Sequence, residues 1–312
     1  MEKRRLGQSQ LYVSVIGLGA WGIGGPPFWA FRDEKTSIST IQKALDLGVN
    51  LIDTAPVYGF GLSESVVGKA VAGRRDQLII ATKCGLRWKG DSLKDIYRDL
   101  SPASLYQEVE DSLRRLGTDR IDLYQVHWPD PNIPVEHVMV ALALLKGQGK
   151  ILNIGVSNFD AQMLRSASAV VPVVSLQPKY NLLERDAEAD LIPLCRENNI
   201  GVLAYSPLAS GMLTGKYSSS ASLADWRGKG NMGVFRPETF PQVMAKVEKL
   251  KSFANERGIP LSRMALRWVI GQPGISCALA GANTAAQVED NVAAADLELS
   301  AEDMERLETL AQ

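Results

Sequence analysis

The sequence predicts an α/β fold, a (β/α)8 (TIM) barrel, on three observations. Counting from Val15, eight short apolar runs read as buried strands. A helix, or a loop and a helix, fills the links between them. The chain has 312 residues, enough for eight β–α units, so residues 1–312 read as a single barrel domain. A doubly wound sheet is the competing fold, and it would carry a phosphate loop after its first strand. Gly17-Leu18-Gly19-Ala20-Trp21-Gly22 does match GxGxxG, but Gly24-Gly25-Pro26-Pro27 follow at once and no helix can begin there. The next acid-tipped strand also comes too late for that motif, so the match is accidental.

Each element follows from local signals. Residues 5–7 and 12–13 read as a short N-terminal β-hairpin over Gln8-Ser9-Gln10 that caps one end of the fold. Residues 15–19 form the first buried strand. Residues 33–47 place Ile38, Ile41, Ala44 and Leu45 at helical spacing and stop at Gly48. Strand 50–53 is cut off by Pro56, which cannot continue a ladder. A helix over 63–71 leads to strand 78–82, tipped by Lys83. Ser101-Pro102 opens a helix to Leu116, with Gly117 after it. Strand 121–126 ends in His127, helix 135–146 follows, and strand 151–156 is tipped by Ser157-Asn158. Helix 161–169, strand 173–176 tipped by Gln177, helix 188–198 and strand 201–204 tipped by Tyr205-Ser206 continue the alternation. Residues 211–240 are rich in Gly, Ser and Lys without periodicity. They are expected to form a long loop after strand seven, a lid over bound cofactor whose release limits turnover. Helices near 241–257 and 261–270 lead to strand 275–280, which ends at Gly281. Thr284-x-x-Gln287 reads as a capping box, and 301–310 as the last amphipathic helix.

Composition excludes several classes of function. A hydrophobic content of 46% and a charged content of 22% suit a soluble chain with a large core. The net charge of −1 gives no attraction to nucleic acid or an anionic membrane. No apolar h-region follows Met1-Glu2-Lys3-Arg4-Arg5, and no apolar run reaches membrane-spanning length. Cys84, Cys195 and Cys277 are odd in number and far apart, which predicts reduced thiols and a cytoplasmic location. With only His127 and His137, no metal centre is expected.

In such a barrel all strand tips with C-terminal polarity face one end, where the active site lies. Here they carry Asp53 (with Tyr58 just beyond), Lys83, His127, Ser157-Asn158, Gln177 and Tyr205-Ser206. A phenol beside an ammonium beside a carboxylate is a coherent proton-transfer set. The ammonium favours phenolate, so Lys83 is expected to lower the Tyr58 pKa from about 10. Asp53 would keep Lys83 charged, Tyr58 would protonate an oxygen that gains negative charge, and neutral His127 would orient that oxygen.

The chain resembles the aldo-keto reductase family across essentially its whole length. The resemblance rests on Asp53-Thr54-Ala55 with Tyr58-Gly59 and Ser63-Glu64, Ala81-Thr82-Lys83, residues 122–127, Gly155-Val156-Ser157-Asn158-Phe159 and Tyr205-Ser206-Pro207-Leu208. Residues 206–217 look like the subgroup of bacterial oxidoreductases and potassium channel β subunits. The resemblance implies metal-independent, NADPH-dependent reduction of aldehydes and ketones, with Asp53, Tyr58, Lys83 and His127 as the catalytic tetrad and Tyr58 as the acid. It implies that Ser157, Asn158 and Gln177 hold the nicotinamide carboxamide and that Tyr205 lies beside the ring. Ser206, Pro207, Leu208, Gly211 and Lys216 would form the pyrophosphate-side loop, and Gly281, Asn283, Gln287, Asp290 and Asn291 the adenosine end. Residues 281–284 lack the Lys or Arg that many members pair with the 2′-phosphate. Arg227 or Arg236 is the expected substitute, and NADH is the alternative cofactor. Asp290 stands where a longer Glu is common.

Trp21, Phe28, Trp29, Tyr58, Phe60, Trp88 and Trp128 crowd the same loops and predict a ring-lined pocket for carbonyl substrates, with Arg32 and Arg87 near enough to grip an anionic group. Three rival readings remain at this level. One is a Schiff-base aldolase using Lys83. Another is a redox-sensing subunit that binds NADPH with little turnover. The third is oxidation of a sugar or alcohol.

Overall fold

The computed structural model describes residues 1–30, 33–217, 226–229 and 233–312. An antiparallel hairpin, β1 (Lys3–Arg5) and β2 (Tyr12–Ser14), precedes the barrel. The chain then runs β3 (Ile16–Gly19), α1 (Glu34–Asp46), β4 (Leu51–Asp53), α2 (Leu62–Ala70) and β5 (Ile79–Cys84). A second hairpin follows, β6 (Leu86–Trp88) and β7 (Ile96–Arg98), then α3 (Pro102–Leu116), β8 (Leu123–Val126), α4 (Val135–Gly147) and β9 (Ile154–Ser157). Next come α5 (Ala161–Val170), β10 (Val173–Gln177), α6 (Leu191–Glu197) and β11 (Gly201–Tyr205). The chain ends with α7 (Phe240–Glu256), α8 (Leu261–Gly271), β12 (Ile275–Gly281), α9 (Ala285–Ala293) and α10 (Ala301–Ala311). Eight of the strands close into a parallel barrel in the order β3-β4-β5-β8-β9-β10-β11-β12, with the helices outside. This is the predicted (β/α)8 architecture.

Side chains alternate between the two faces of a strand, so each barrel strand contributes to two cores. The outward set packs against the helices. The inward set, including Leu51, Ile79, Ala81, Leu123, Leu203, Cys277 and Leu279, fills the interior near the strand N-termini. Leu6 and Val13 from the N-terminal hairpin join this inner cluster and plug that end, as the sequence predicts. Arg4 fastens the plug by donating from Nη1 to the carbonyls of Ile270 and Ile275 at 2.7 and 2.8 Å. Above the apolar layer the inward positions turn polar. Gly155 makes room there, because a Cβ at that position would meet Ser175 Oγ and come within 3.0 Å of Gln125 Cγ.

Several local expectations differ from the structure. The hairpin β6–β7 is a departure: strands of three residues are too short to show a period. Residues 188–198 are not one helix. A 3-10 turn spans Asp186–Glu188 and α6 starts at Leu191, because the backbone leaves the helical region at Asp190 (φ −145°). The capping box at Thr284 is half made: Thr284 Oγ1 accepts from Gln287 N, but Gln287 Oε1 takes the Asn283 N–H. The expected long loop carries 3-10 turns at Ala209–Thr214, Trp226–Lys229 and Gly233–Phe235. Its residues 218–225 and 230–232, like Arg32, lie outside the described residues.

Behind β5, the buried Glu108 carboxylate accepts from Gly85 N at 3.1 and 3.0 Å and from Ser104 Oγ at 3.2 Å. Burial dominates its titration and pushes its pKa up to about 7. A carboxyl raised above its unfolded value stabilises the fold below about pH 4.5 and loses that contribution as pH rises through 7. Glu108→Gln is therefore expected to flatten the decline in unfolding free energy between about pH 4.5 and 7, measured by urea titration at several pH values. Leu6→Ala, at the opposite end from the strand tips, should cost about 2–5 kcal/mol in the same assay while leaving turnover unchanged.

Candidate active site

The polar end of the barrel is organised by register. Lys83 pairs with Gln125, and Asp53 with Ala81, so Asp53 ends two residues below Lys83 on the adjoining strand. Lys83 is 0% exposed and Asp53 4%. Lys83 Nζ donates to Asp53 Oδ1 at 2.6 Å, to the Thr54 carbonyl at 3.0 Å and to Tyr58 Oη at 3.3 Å. The other Asp53 oxygen accepts from Gln125 Nε2 at 3.1 Å and Gln177 Nε2 at 2.8 Å. The turn bearing Tyr58 is placed by Gly59 (φ 62°), where a Cβ would collide with the Gly24 main chain. This contact brings the loop carrying Trp21 against Tyr58, with ring centroids 6.2 Å apart. His127 follows β8, is 9% exposed, and meets Tyr58 edge to face with centroids 5.7 Å apart. The main-chain N–H of His127 donates to the Cys84 carbonyl at 3.0 Å.

The electrostatics agree with only part of the sequence reading. Burial raises the Tyr58 pKa by more than the Lys83 ammonium lowers it, and the Asp53 carboxylate adds to the rise. The expected net depression is thus overturned, and the phenol is fully protonated at neutral pH. Burial opposes the charge on Lys83, but Asp53 and Tyr58 outweigh it and raise the Lys83 pKa. Burial, then Lys83, pull His127 well below its ordinary value, which leaves the imidazole neutral.

The remaining predicted residues fall into three groups. Around the mouth, Ser157 Oγ donates to the Gln177 carbonyl at 2.8 Å, and Asn158 (φ 58°) donates to the His127 carbonyl at 2.9 Å. Tyr205 Oη donates to Asn158 Oδ1 at 3.0 Å. After β11, Ser206, Ala209, Ser210 and Gly211 have φ of 51, 48, 54 and 97°, a run of left-handed backbone beside buried Pro207 and half-buried Leu208. Within this turn the main-chain N–H groups of Ala209 and Gly211 donate to the Ser206 and Leu208 carbonyls at 2.8 and 2.9 Å. Arg227 donates to the Ser210 carbonyl at 3.0 Å and to Tyr217 Oη at 2.7 Å, close to Gly211; Lys216 lies over the Tyr217 ring and is exposed. At the far side, Asn291 Nδ2 donates to the Gly281 carbonyl at 3.2 Å, and a Cβ on Gly22 would meet Asn283 Oδ1. Asp290 is engaged elsewhere: its two oxygens accept from Ser262 Oγ at 2.7 Å and Arg263 Nε at 2.6 Å on α8. Arg236 is exposed after the turn Gly233–Phe235.

Of the expected pocket residues, Trp21 and Trp29 are brought together at 5.0 Å, and Trp88 pairs with Phe60 at 5.5 Å. Trp128, next to His127, is 38% exposed and stacks on Arg98. Sequence reasoning missed two residues. Gln125 could have been found, since a lone amide in an apolar strand shares its face with Lys83. Trp226 lies 5.1 Å from Trp21 and 5.7 Å from Trp29, and nothing in its aperiodic segment signals this.

Comparison with known proteins gives the same picture. The aldo/keto reductase family model matches residues 15–312. The chain is 42% identical to the aldo-keto reductase YhdN of Bacillus subtilis, over 99% of this chain and 93% of that one. It is 37% identical to the NADH-specific methylglyoxal reductase of Escherichia coli, over 100% and 99%. The glycerol dehydrogenase of Gluconobacter oxydans superposes with a TM-score of 0.89 at 38% identity, over 99% and 94%. An aldo/keto reductase of Klebsiella pneumoniae, solved with NADP and acetate, superposes with a TM-score of 0.77 at 29% identity, over 99% and 95%. A buried Lys–Asp pair beneath a phenol at the tips of a parallel barrel, together with these matches, identifies the chain as an oxidoreductase that belongs to the aldo/keto reductase family.

Proposed function

We propose that this protein reduces aldehydes and ketones to alcohols with NADPH, and that Tyr58 is the proton donor. The observation that carries the reading is the Lys83 ammonium, wholly buried and 3.3 Å from the Tyr58 hydroxyl. The mouth fits a nicotinamide dinucleotide. Ser157, Asn158, Gln177 and Tyr205 offer polar groups for the carboxamide and ring. The loop of Ser206, Pro207, Leu208 and Gly211, with the exposed ammonium of Lys216 after it, would take the pyrophosphate side. Gly281, Asn283, Gln287 and Asn291 surround the start of α9, where a helix N-terminus favours a phosphate. Asp290 would contribute there only by leaving its α8 partners.

Bound there, NADPH supplies the hydride to the carbonyl carbon. Tyr58, protonated at working pH, passes its proton to the carbonyl oxygen, and Lys83 stabilises the phenolate that remains. Asp53 keeps Lys83 charged, while Gln125 and Gln177 keep Asp53 in place. Neutral His127 donates a hydrogen bond to the same oxygen and sets its approach. Trp21, Trp29, Trp88 and Trp128 line the substrate side. The same groups run the reverse oxidation, with Tyr58 phenolate as base, and the name of the E. coli relative makes NADH the alternative cofactor. A Schiff-base role for Lys83 needs a neutral amine, which Asp53 and Tyr58 disfavour. Among the described residues no helix is long and apolar enough to cross a membrane. The reading is a small-molecule enzyme of the cytoplasm.

Tyr58→Phe is expected to lower kcat for 4-nitrobenzaldehyde about 10²–10⁴-fold with NADPH affinity within about twofold of wild type, read by NADPH absorbance and fluorescence titration. Wild-type turnover by the mutant would refute the assignment. The rate of reduction should stay level from about pH 6 to 9, because the Tyr58 pKa is held above that of a free phenol. No inflection should appear near pH 6.5, because His127 is already neutral.

A further inference from the structure

Behind the site lies a buried carboxylate that proton transfer does not use. Glu64, in the first turn of α2, is 0% exposed. Its Oε1 accepts from Thr82 Oγ1 at 2.6 Å, and its Oε2 accepts from Arg115 Nε of α3 at 2.6 Å. Thr82 immediately precedes Lys83 on β5, and successive strand residues point to opposite faces. Lys83 therefore points inward to Tyr58 while Thr82 points outward to Glu64. A single stretch of chain, residues 54–64, thus grips β5 on both faces, through Thr54 and Tyr58 inside and Glu64 outside.

Within that stretch Tyr58 moves with the start of α2. Gly59 and Gly61 (φ 62 and 97°) carry the turn from Tyr58 into the helix, whose N-cap, Gly61, offers no side chain. Ser63 joins turn to helix. Its main-chain N–H donates to the Tyr58 carbonyl at 3.1 Å, and its Oγ donates to the Ala20 carbonyl at 2.9 Å and lies 2.8 Å from Thr54 Oγ1. Glu64 then fixes where this first turn stands against β5. On the other side α3 comes so near that a Cβ on Gly61 would meet Arg115 Cδ, and one on Gly68 the Leu116 carbonyl. The charges that dominate the titration of Tyr58 are those of Lys83 and Asp53, so Glu64 acts through position rather than field. A buried ion pair contributes little net stability, because desolvation offsets the attraction. Two short bonds to donors on two different elements do set a direction.

We propose that Glu64 is a positioning residue for the reaction: by fastening α2 to Thr82 and Arg115, it holds the Tyr58 hydroxyl within hydrogen-bonding reach of Lys83. This rests on the reductase reading and adds to it a residue buried behind β5, on the face away from the tetrad. Misplacing a reacting group by about 1 Å costs up to about 10²-fold in rate, so a support at this distance from the chemistry has a measurable effect.

The test is a double-mutant cycle on single-turnover hydride transfer to 4-nitrobenzaldehyde from preformed NADPH complexes. Glu64→Gln keeps the shape of the side chain and removes the charge and one acceptor. In the wild-type background it is expected to slow transfer about tenfold to 10²-fold, with NADPH affinity within about twofold. In the Tyr58→Phe background, where no hydroxyl is left to position, the same change should cost less than about twofold. Thr82→Val removes the donor from the other side and should repeat the pattern; it decides the proposal if Glu64→Gln does not fold. Leu6→Ala, at the opposite end of the barrel, loses stability and should leave transfer unchanged, which separates weaker folding from misplacement. Equal losses in both backgrounds, or transfer at the wild-type rate in folded Glu64→Gln, overturn the proposal. Wild-type transfer by Tyr58→Phe alone removes instead the reading on which it rests.

Discussion

One buried charge sets the terms for the active end of this barrel. Lys83 has no exposure, and an ammonium taken out of water persists only with a partner and satisfied hydrogen bonds. Asp53 is that partner, at 2.6 Å, and its second oxygen in turn requires donors. Gln125 and Gln177 supply them, from two further strands. The barrel must then have room for the amides, which Gly155 provides by having no side chain to meet Gln125. Removing one member of such a buried pair costs about 3–5 kcal/mol, because the other charge is stranded. Four strands are thus tied into a network whose outer end is a phenol.

The two ends of the barrel divide the work. Near the strand N-termini the interior is apolar and sealed by Leu6 and Val13, so it contributes stability and no chemistry. Near the C-termini, residues depart from relaxed backbone: Asn158, Ser206, Ala209 and Ser210 all have positive φ. Strain of this kind costs about 1–3 kcal/mol per residue and persists where surrounding structure over-determines it. Here the backbone positions it spans are those proposed to meet the cofactor.

Much of this was legible in the sequence, and for identifiable reasons. The eight apolar runs and their helical links specify the barrel through periodicity, and Pro56 and Gly48 mark ends through local sterics. The convergence of Asp53, Tyr58, Lys83 and His127 follows once the strands are parallel, since polarity alone brings their tips together. What stayed hidden depended on tertiary context. Whether the ammonium or burial wins the titration of Tyr58 depends on how deeply the loop is covered, which no spacing reports. Asp290 is captured by Ser262 and Arg263 across a helix–helix contact. Trp226 reaches Trp21 from a segment without periodicity, and β6–β7 is too short to announce itself.

The most direct measurement is hydride transfer in a single turnover, starting from the preformed NADPH complex of Lys83→Met. If Lys83 serves to stabilise the phenolate as the proton leaves Tyr58, transfer to an aldehyde should slow about 10²-fold or more while NADPH affinity stays near that of wild type. Transfer at the wild-type rate in that complex would contradict the account, since the buried ammonium would then have no part in the chemistry.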